Sequence, residues 1–85
     1  MTLDEKIVHA LYETLDHQRP SDRRYRAVDY TVAARRARRK GDLAAVAFNY
    51  DKAAKELRSS SNDKAHRAIR MIEEEVIRLR YSGYA

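Results

Sequence analysis

Three breaks divide this chain: Pro20-Ser21, Gly41-Asp42 and Ser59-Ser60-Ser61-Asn62. Little else carries turn chemistry, because the 85 residues include only two Gly and one Pro. A sheet protein of this length needs a turn roughly every 8–12 residues, and this chain cannot supply them. The segments between the breaks are long, and each shows apolar residues at helical spacing. The fold class expected is therefore all-α. One domain over residues 1–85 should form a compact four-helix bundle, with helices over about 3–17, 22–40, 43–58 and 62–81.

Helix 1 opens on Thr2-Leu3-Asp4-Glu5. Thr2 fits an N-cap with Glu5 at N3, the pattern of a reciprocal capping box, and two carboxylates occupy the positive first turn. Leu3, Ile7, Val8, Leu11 and Leu15 make its apolar stripe. Pro20 disfavours helical geometry at Arg19, which ends the helix near His17 and leaves Ser21 to cap helix 2. Gly41 suits the left-handed position at the end of helix 2, and Asp42 suits the N-cap of helix 3. So short a break makes these two helices an antiparallel hairpin.

Helix 3 carries Leu43, Val46, Ala47, Tyr50, Ala53, Ala54 and Leu57 at i, i+3, i+4, i+7 spacing. Helix 4 carries Ala65, Ala68, Ile69, Ile72, Val76 and Leu79 in the same way. Its Glu73-Glu74-Glu75 run reads as solvated surface, with Arg70 and Arg78 four residues either side of Glu74. Residues such as Asn62 in the Ser-rich loop are placed to cap it.

Helix 2 is the unusual one. Ala27, Tyr30, Ala34 and Ala37 share one face, with Ala33 on its margin, and side chains this small let another helix approach closely. Val28 and Val32 point the other way beside Tyr25, so the first half should be buried on two sides. Arg35, Arg36 and Arg39 take over that second face further along. Residues 19–40 hold nine basic side chains against Asp22 and Asp29, whereas the chain as a whole carries +5.

The hairpin of helices 2 and 3 resembles a single tetratricopeptide-type repeat (TPR-like) over residues 27–60. Tyr30 takes the aromatic place, Ala34 the small one, Gly41 the turn, and Tyr50 with Ala53 match the second helix; Ala33 and Ala37 are smaller than the family's usual residues at their places. Val46 stands where the family has Ala, and Arg58 where a Pro often ends the unit. No second copy is found 34 residues away in either direction. The resemblance implies a helical hairpin that helices 1 and 4 would have to cap, since such units need roughly three repeats to be stable. A three-helix trafficking-type bundle carries a similar hairpin.

Several functions lack their signatures. Ala37 and Gly41 have the spacing of a helix-turn-helix turn, but aligning them would place Arg36, Lys40 and Asp42 at positions that the motif buries. His9, His17 and His66 include no pair four apart, and there is no Cys, so neither a metal nor a disulfide is expected. The chain shows no Gly-rich phosphate loop and no nucleophile elbow. No enzymatic activity and no cofactor are expected. No secretory leader or apolar membrane span is visible, and the absence of Cys suits a reducing cytoplasm.

What remains is a surface. A pI near 9.7 favours an acidic partner. The cluster Arg35, Arg36, Arg38, Arg39, Lys40 holds more cations than a helix C-terminus requires. Arg23, Arg24 and Arg26 form a smaller group at the other end of helix 2, with Tyr25 among them. Tyr81 and Tyr84 beside Arg78 and Arg80 make a second candidate patch. The expectation is a small helical adaptor or inhibitor docking helix 2 on an acidic face of a larger protein or complex. The alternative is an accessory protein holding RNA or DNA backbone without reading sequence. A homo-oligomer is compatible with the sequence.

Overall fold

The computed structural model describes residues 1–15, 23–59 and 65–82, with the side chains of the second helix from Tyr25 onward. The chain is an all-α four-helix bundle of α1 (Leu3–Tyr12), α2 (Arg23–Arg39), α3 (Leu43–Arg58) and α4 (Ala65–Tyr81). Each helix packs on its neighbours in chain order, and α1 closes the ring against α4. The diagonal pairs, α1 with α3 and α2 with α4, do not bring their backbones together among the described residues.

Local chemistry sets the ends. Thr2 caps α1 as expected, its Oγ1 accepting from the Glu5 amide at 3.2 Å. The Glu5 carboxylate faces Arg35 at 3.6 Å. The helix ends at Tyr12, short of the expected His17. Thr14 is the cause: its amide and its hydroxyl both donate to the Leu11 carbonyl, at 2.9 and 2.6 Å, which tightens and ends the last turn. Leu15 leaves the helix but still packs on the core. Pro20 and Ser21 lie outside the described residues, as do residues 60–64, where the start of the last helix and its cap were expected.

The α2–α3 turn forms as its sequence requires. Gly41 has φ +76°, the Gly41 amide donates to the Arg38 carbonyl, and the Asp42 amide donates to the Ala37 carbonyl, both at 3.0 Å. This paired arrangement closes α2 in a Schellman motif. Asp42 then caps α3 by accepting from the Ala45 amide at 3.1 Å.

The core holds Ile7 and Leu11 of α1, Val46, Tyr50 and Leu57 of α3, and Ile72, Val76 and Leu79 of α4. Each such aliphatic side chain is worth about 1.5–3 kcal/mol on burial. The α2 contribution is small-grained: Ala27, Val28, Thr31, Ala34 and Ala37 are its buried residues, with Tyr30 half-buried. Two-sided burial of its first half is not observed. Val28 is buried but Val32 is 37% exposed, and the buried face centres on Thr31. A threonine can occupy that place because its hydroxyl donates to the Ala27 carbonyl at 2.8 Å, leaving its methyl to the core.

Candidate functional site

The cationic end of α2 divides into an inward and an outward set. Arg38 follows Ala27, Thr31 and Ala34 at spacings of four, three and four, so it stands on the buried stripe. Its Nε donates to Asp4 Oδ2 and its Nη2 to Glu75 Oε1, both at 2.8 Å. Asp4 also accepts from the Tyr50 hydroxyl. Glu75 also accepts from Arg78, at 2.6 Å to Oε1 and 3.0 Å to Oε2. Each helix therefore gives at least one member to a continuous chain: Tyr50, Asp4, Arg38, Glu75, Arg78.

This chain makes the two diagonal links that backbone packing does not, α3 to α1 and α2 to α4. The carboxylates are deeply placed, with side-chain exposures of 7% for Asp4 and 0% for Glu75. Burial alone would lower the Arg38 pKa, but the bonds to Glu75 and Asp4 more than reverse that, and the guanidinium stays charged. Two of the sequence expectations are corrected here. Glu75 is not part of a solvated run, and Arg78 pairs with it at i, i+3 instead of with Glu74. Arg38 faces inward and drops out of the contact surface.

A signal for the network existed in the pattern. Glu75 falls within the stripe of Ala68, Ile72, Val76 and Leu79, and Asp4 precedes Ile7 and Leu11 by three and seven residues. A charge on a core stripe needs a buried partner.

Burial, and next the bond to Asp4, pushes the Tyr50 phenol well above its ordinary value of 10.0. The native state therefore holds this proton where the unfolded chain releases it. The associated stability is fully present below pH 10 and is lost progressively as pH rises above it. Tyr50→Phe should cost about 1.5 kcal/mol at neutral pH, because Asp4 loses a buried donor. It should also remove part of the alkaline decline. Urea unfolding of both proteins at pH 7 and pH 10.5 checks this, and identical pH slopes would contradict it.

The outward set is Arg36, Arg39 and Lys40, all exposed and without ion pairs among the described residues. Arg35 stands at the edge, paired with Glu5 across α1. Of the smaller group, Arg26 is exposed and Tyr25 half-buried, while the Arg23 and Arg24 side chains lie outside what is described. Tyr81 is 88% exposed, beside Ile77 and an Arg80–Asp51 pair at 3.1 Å. It stands on α4, diagonal to α2, so the fold does not join this patch to the α2 cations. Tyr84 lies outside the described residues.

Asp29, Val32, Ala33, Arg36, Ala37, Lys40, Asp42 and Ala45 line a groove of about 520 Å³ between α2 and α3. Among the described residues, no group of His, Cys, Asp or Glu could hold a metal ion, and no helix is long and apolar enough to cross a membrane. No known protein family, curated protein or solved structure matches the chain, which leaves the likeness of the α2–α3 hairpin to a tetratricopeptide-type repeat as a proposal.

Proposed function

We propose that this protein is a non-enzymatic interaction module that docks the outer face of α2 onto an acidic surface of a larger protein. The observation that carries this is the division of the cationic cluster. Arg38 is satisfied internally by Asp4 and Glu75, and Arg35 is paired with Glu5. Arg36, Arg39 and Lys40 instead project together without ion pairs among the described residues, although Asp29 stands on the same side of α2. At about 100° per residue these three fall within one outward sector of α2, with Val32 between Arg36 and Arg39 around the helix. Cations alone would suit phosphate backbone equally. An exposed valine among them, above a floor of alanines, favours a protein.

Arg36→Glu, Arg39→Glu and Lys40→Glu together should abolish partner capture while leaving helicity and the urea midpoint close to wild type. Pull-down with and without nuclease, read beside circular dichroism, tests this. Capture that survives nuclease and fails in the triple variant supports the proposal. Capture that disappears with nuclease transfers the role to nucleic-acid backbone binding. In that case log K should fall with log salt at a slope of roughly −3 for three neutralised phosphates.

A further inference from the structure

Two ion pairs tie α3 to α4 on the outside of the bundle, and they run in opposite senses. Arg58 of α3 donates to Glu73 of α4 at 2.8 Å, whereas Arg80 of α4 donates to Asp51 of α3 at 3.1 Å. On each helix the two pairs are separated by about two turns, from Asp51 to Arg58 and from Glu73 to Arg80. Beside this seam Phe48, Asp51, Lys55 and Arg58 form one exposed stripe of α3, at spacings of three, four and three. Glu73, Ile77, Arg80 and Tyr81 form the facing stripe of α4, with Glu73 half-buried. The two pairs fix the register: Arg58 stands level with Glu73 and Asp51 with Arg80, which sets Tyr81 within two residues of the level of Phe48. Phe48, Ile77 and Tyr81 are 59%, 52% and 88% exposed, three large apolar side chains left uncovered on one face. Phe48 stays so although the Lys52 ammonium stands 5.4 Å from the centre of its ring.

We propose that this face pairs with the same face of a second copy of the chain, about a two-fold axis parallel to the helices. Under that operation α4 of one copy lies along α3 of the other at an unchanged level. Glu73 then meets Arg58 of the second copy, Arg80 meets its Asp51, Tyr81 stacks on its Phe48, and Ile77 lies on the stem of its Lys55. Each contact is made twice. Charge placement selects this occupant. The stripes hold Asp51 and Glu73 against Lys55, Arg58 and Arg80, and Arg70 with Glu74 further round α4 adds one charge of each sign. Net charge therefore draws neither an acidic nor a basic partner strongly. What distinguishes the face is its alternation of sign, which its own copy matches at all four charged positions of the seam. The surplus charge of the chain lies elsewhere: residues 19–40 hold nine basic side chains against two acidic, more than the whole chain's +5, so the rest carries no net positive charge. A two-fold perpendicular to the helices would match the seam charges too, but it would set Lys55 against its own copy and part Tyr81 from Phe48. The pairing is independent of the docking role of α2, which has no residue on this face.

Sedimentation velocity across a concentration series tests this. A face two helices wide is at the small end of specific interfaces, so a dissociation constant on the order of 10–100 μM is expected. Phe48→Ser with Tyr81→Ser should weaken association at least about tenfold while leaving helicity and the urea midpoint unchanged. Tyr81→Ser alone serves if the double variant folds poorly. Exchanging one seam pair, Arg58→Glu with Glu73→Arg, keeps that pair inside each copy. The exchanged protein should associate with itself as wild type does, but about tenfold less with a labelled wild-type chain, because like charges then meet across the axis. A wild type that stays monomeric through the series overturns the proposal, as does association that Tyr81→Ser leaves intact. Equal mixing of the exchanged and wild-type chains, or loss of self-association by the exchanged one, overturns the parallel axis and the proposal with it. Association lost in the Arg36, Arg39, Lys40 reversal also overturns it, by moving the contact to α2; partner capture by α2 is read separately in the pull-down.

Discussion

Arg38→Met is expected to lower the unfolding free energy by about 3 kcal/mol, a figure from the low end of what breaking a buried ion pair costs. The low end applies because the guanidinium is 30% exposed and each carboxylate keeps one other donor, Tyr50 for Asp4 and Arg78 for Glu75. A domain of this size has about 4–13 kcal/mol in total, so the loss is a large share. Urea unfolding followed by circular dichroism measures it. Arg38→Lys should recover little, since a single ammonium cannot donate to two carboxylates from two sides of a planar fork. The network has a sharper signature than any single variant. Replacing Asp4 and Glu75 by Leu together with Arg38→Met and Tyr50→Phe removes all the central polar groups at once. Stability should then return to within about 1–2 kcal/mol of wild type, because no buried charge is left unpartnered. A quadruple variant as unstable as the sum of its parts would mean that these residues do not act as a unit.

Ala34→Leu should destabilise by about 2 kcal/mol, and its neighbour Ala33→Leu by less than about 0.5 kcal/mol. The two substitutions add the same atoms one residue apart. Ala34 is fully buried on the packed side of α2, so the added carbons can be accommodated only by moving the helix away from its neighbours. Ala33 opens into the groove, where the new side chain meets solvent. Thermal unfolding of the pair separates the two environments. Similar midpoints would show that α2 does not approach its neighbours through its small residues.

The helices were legible from their stripes, and the stripes of α3 and α4 were right, whereas Leu3 of α1 and Val32 of α2, both read as buried, are exposed. The seven positions read on α3 and the six on α4 are all buried or packed against the core. The Gly41-Asp42 turn formed as written because both residues act within a single turn of backbone. Other readings that changed depended on side chains with two natures. Thr31 was passed over because its hydroxyl looks polar until it bonds the carbonyl of Ala27. Thr14 ended α1 for the same local reason, before Pro20 could.

The candidate surface was half legible. A run of five cations in residues 35–40 is visible in the sequence, but not which of them have partners. Glu75 and Glu74 are adjacent and identical in type, yet one is buried against Arg38 and the other exposed. Periodicity alone places Glu75 among Ile72, Val76 and Leu79; treating three consecutive glutamates as one solvated run hid that.

The sequence by itself determined the helical class, the hairpin turn and the buried faces of α3 and α4, because these follow from backbone chemistry and from spacing within about four residues. Only the tertiary structure decided the fate of the charges. Asp4 meets Arg38 across 34 positions and Arg38 meets Glu75 across 37, and an ion pair depends on distance in space. Once those pairs form, Arg36, Arg39 and Lys40 are the cations of the cluster that stay exposed without an ion pair among the described residues.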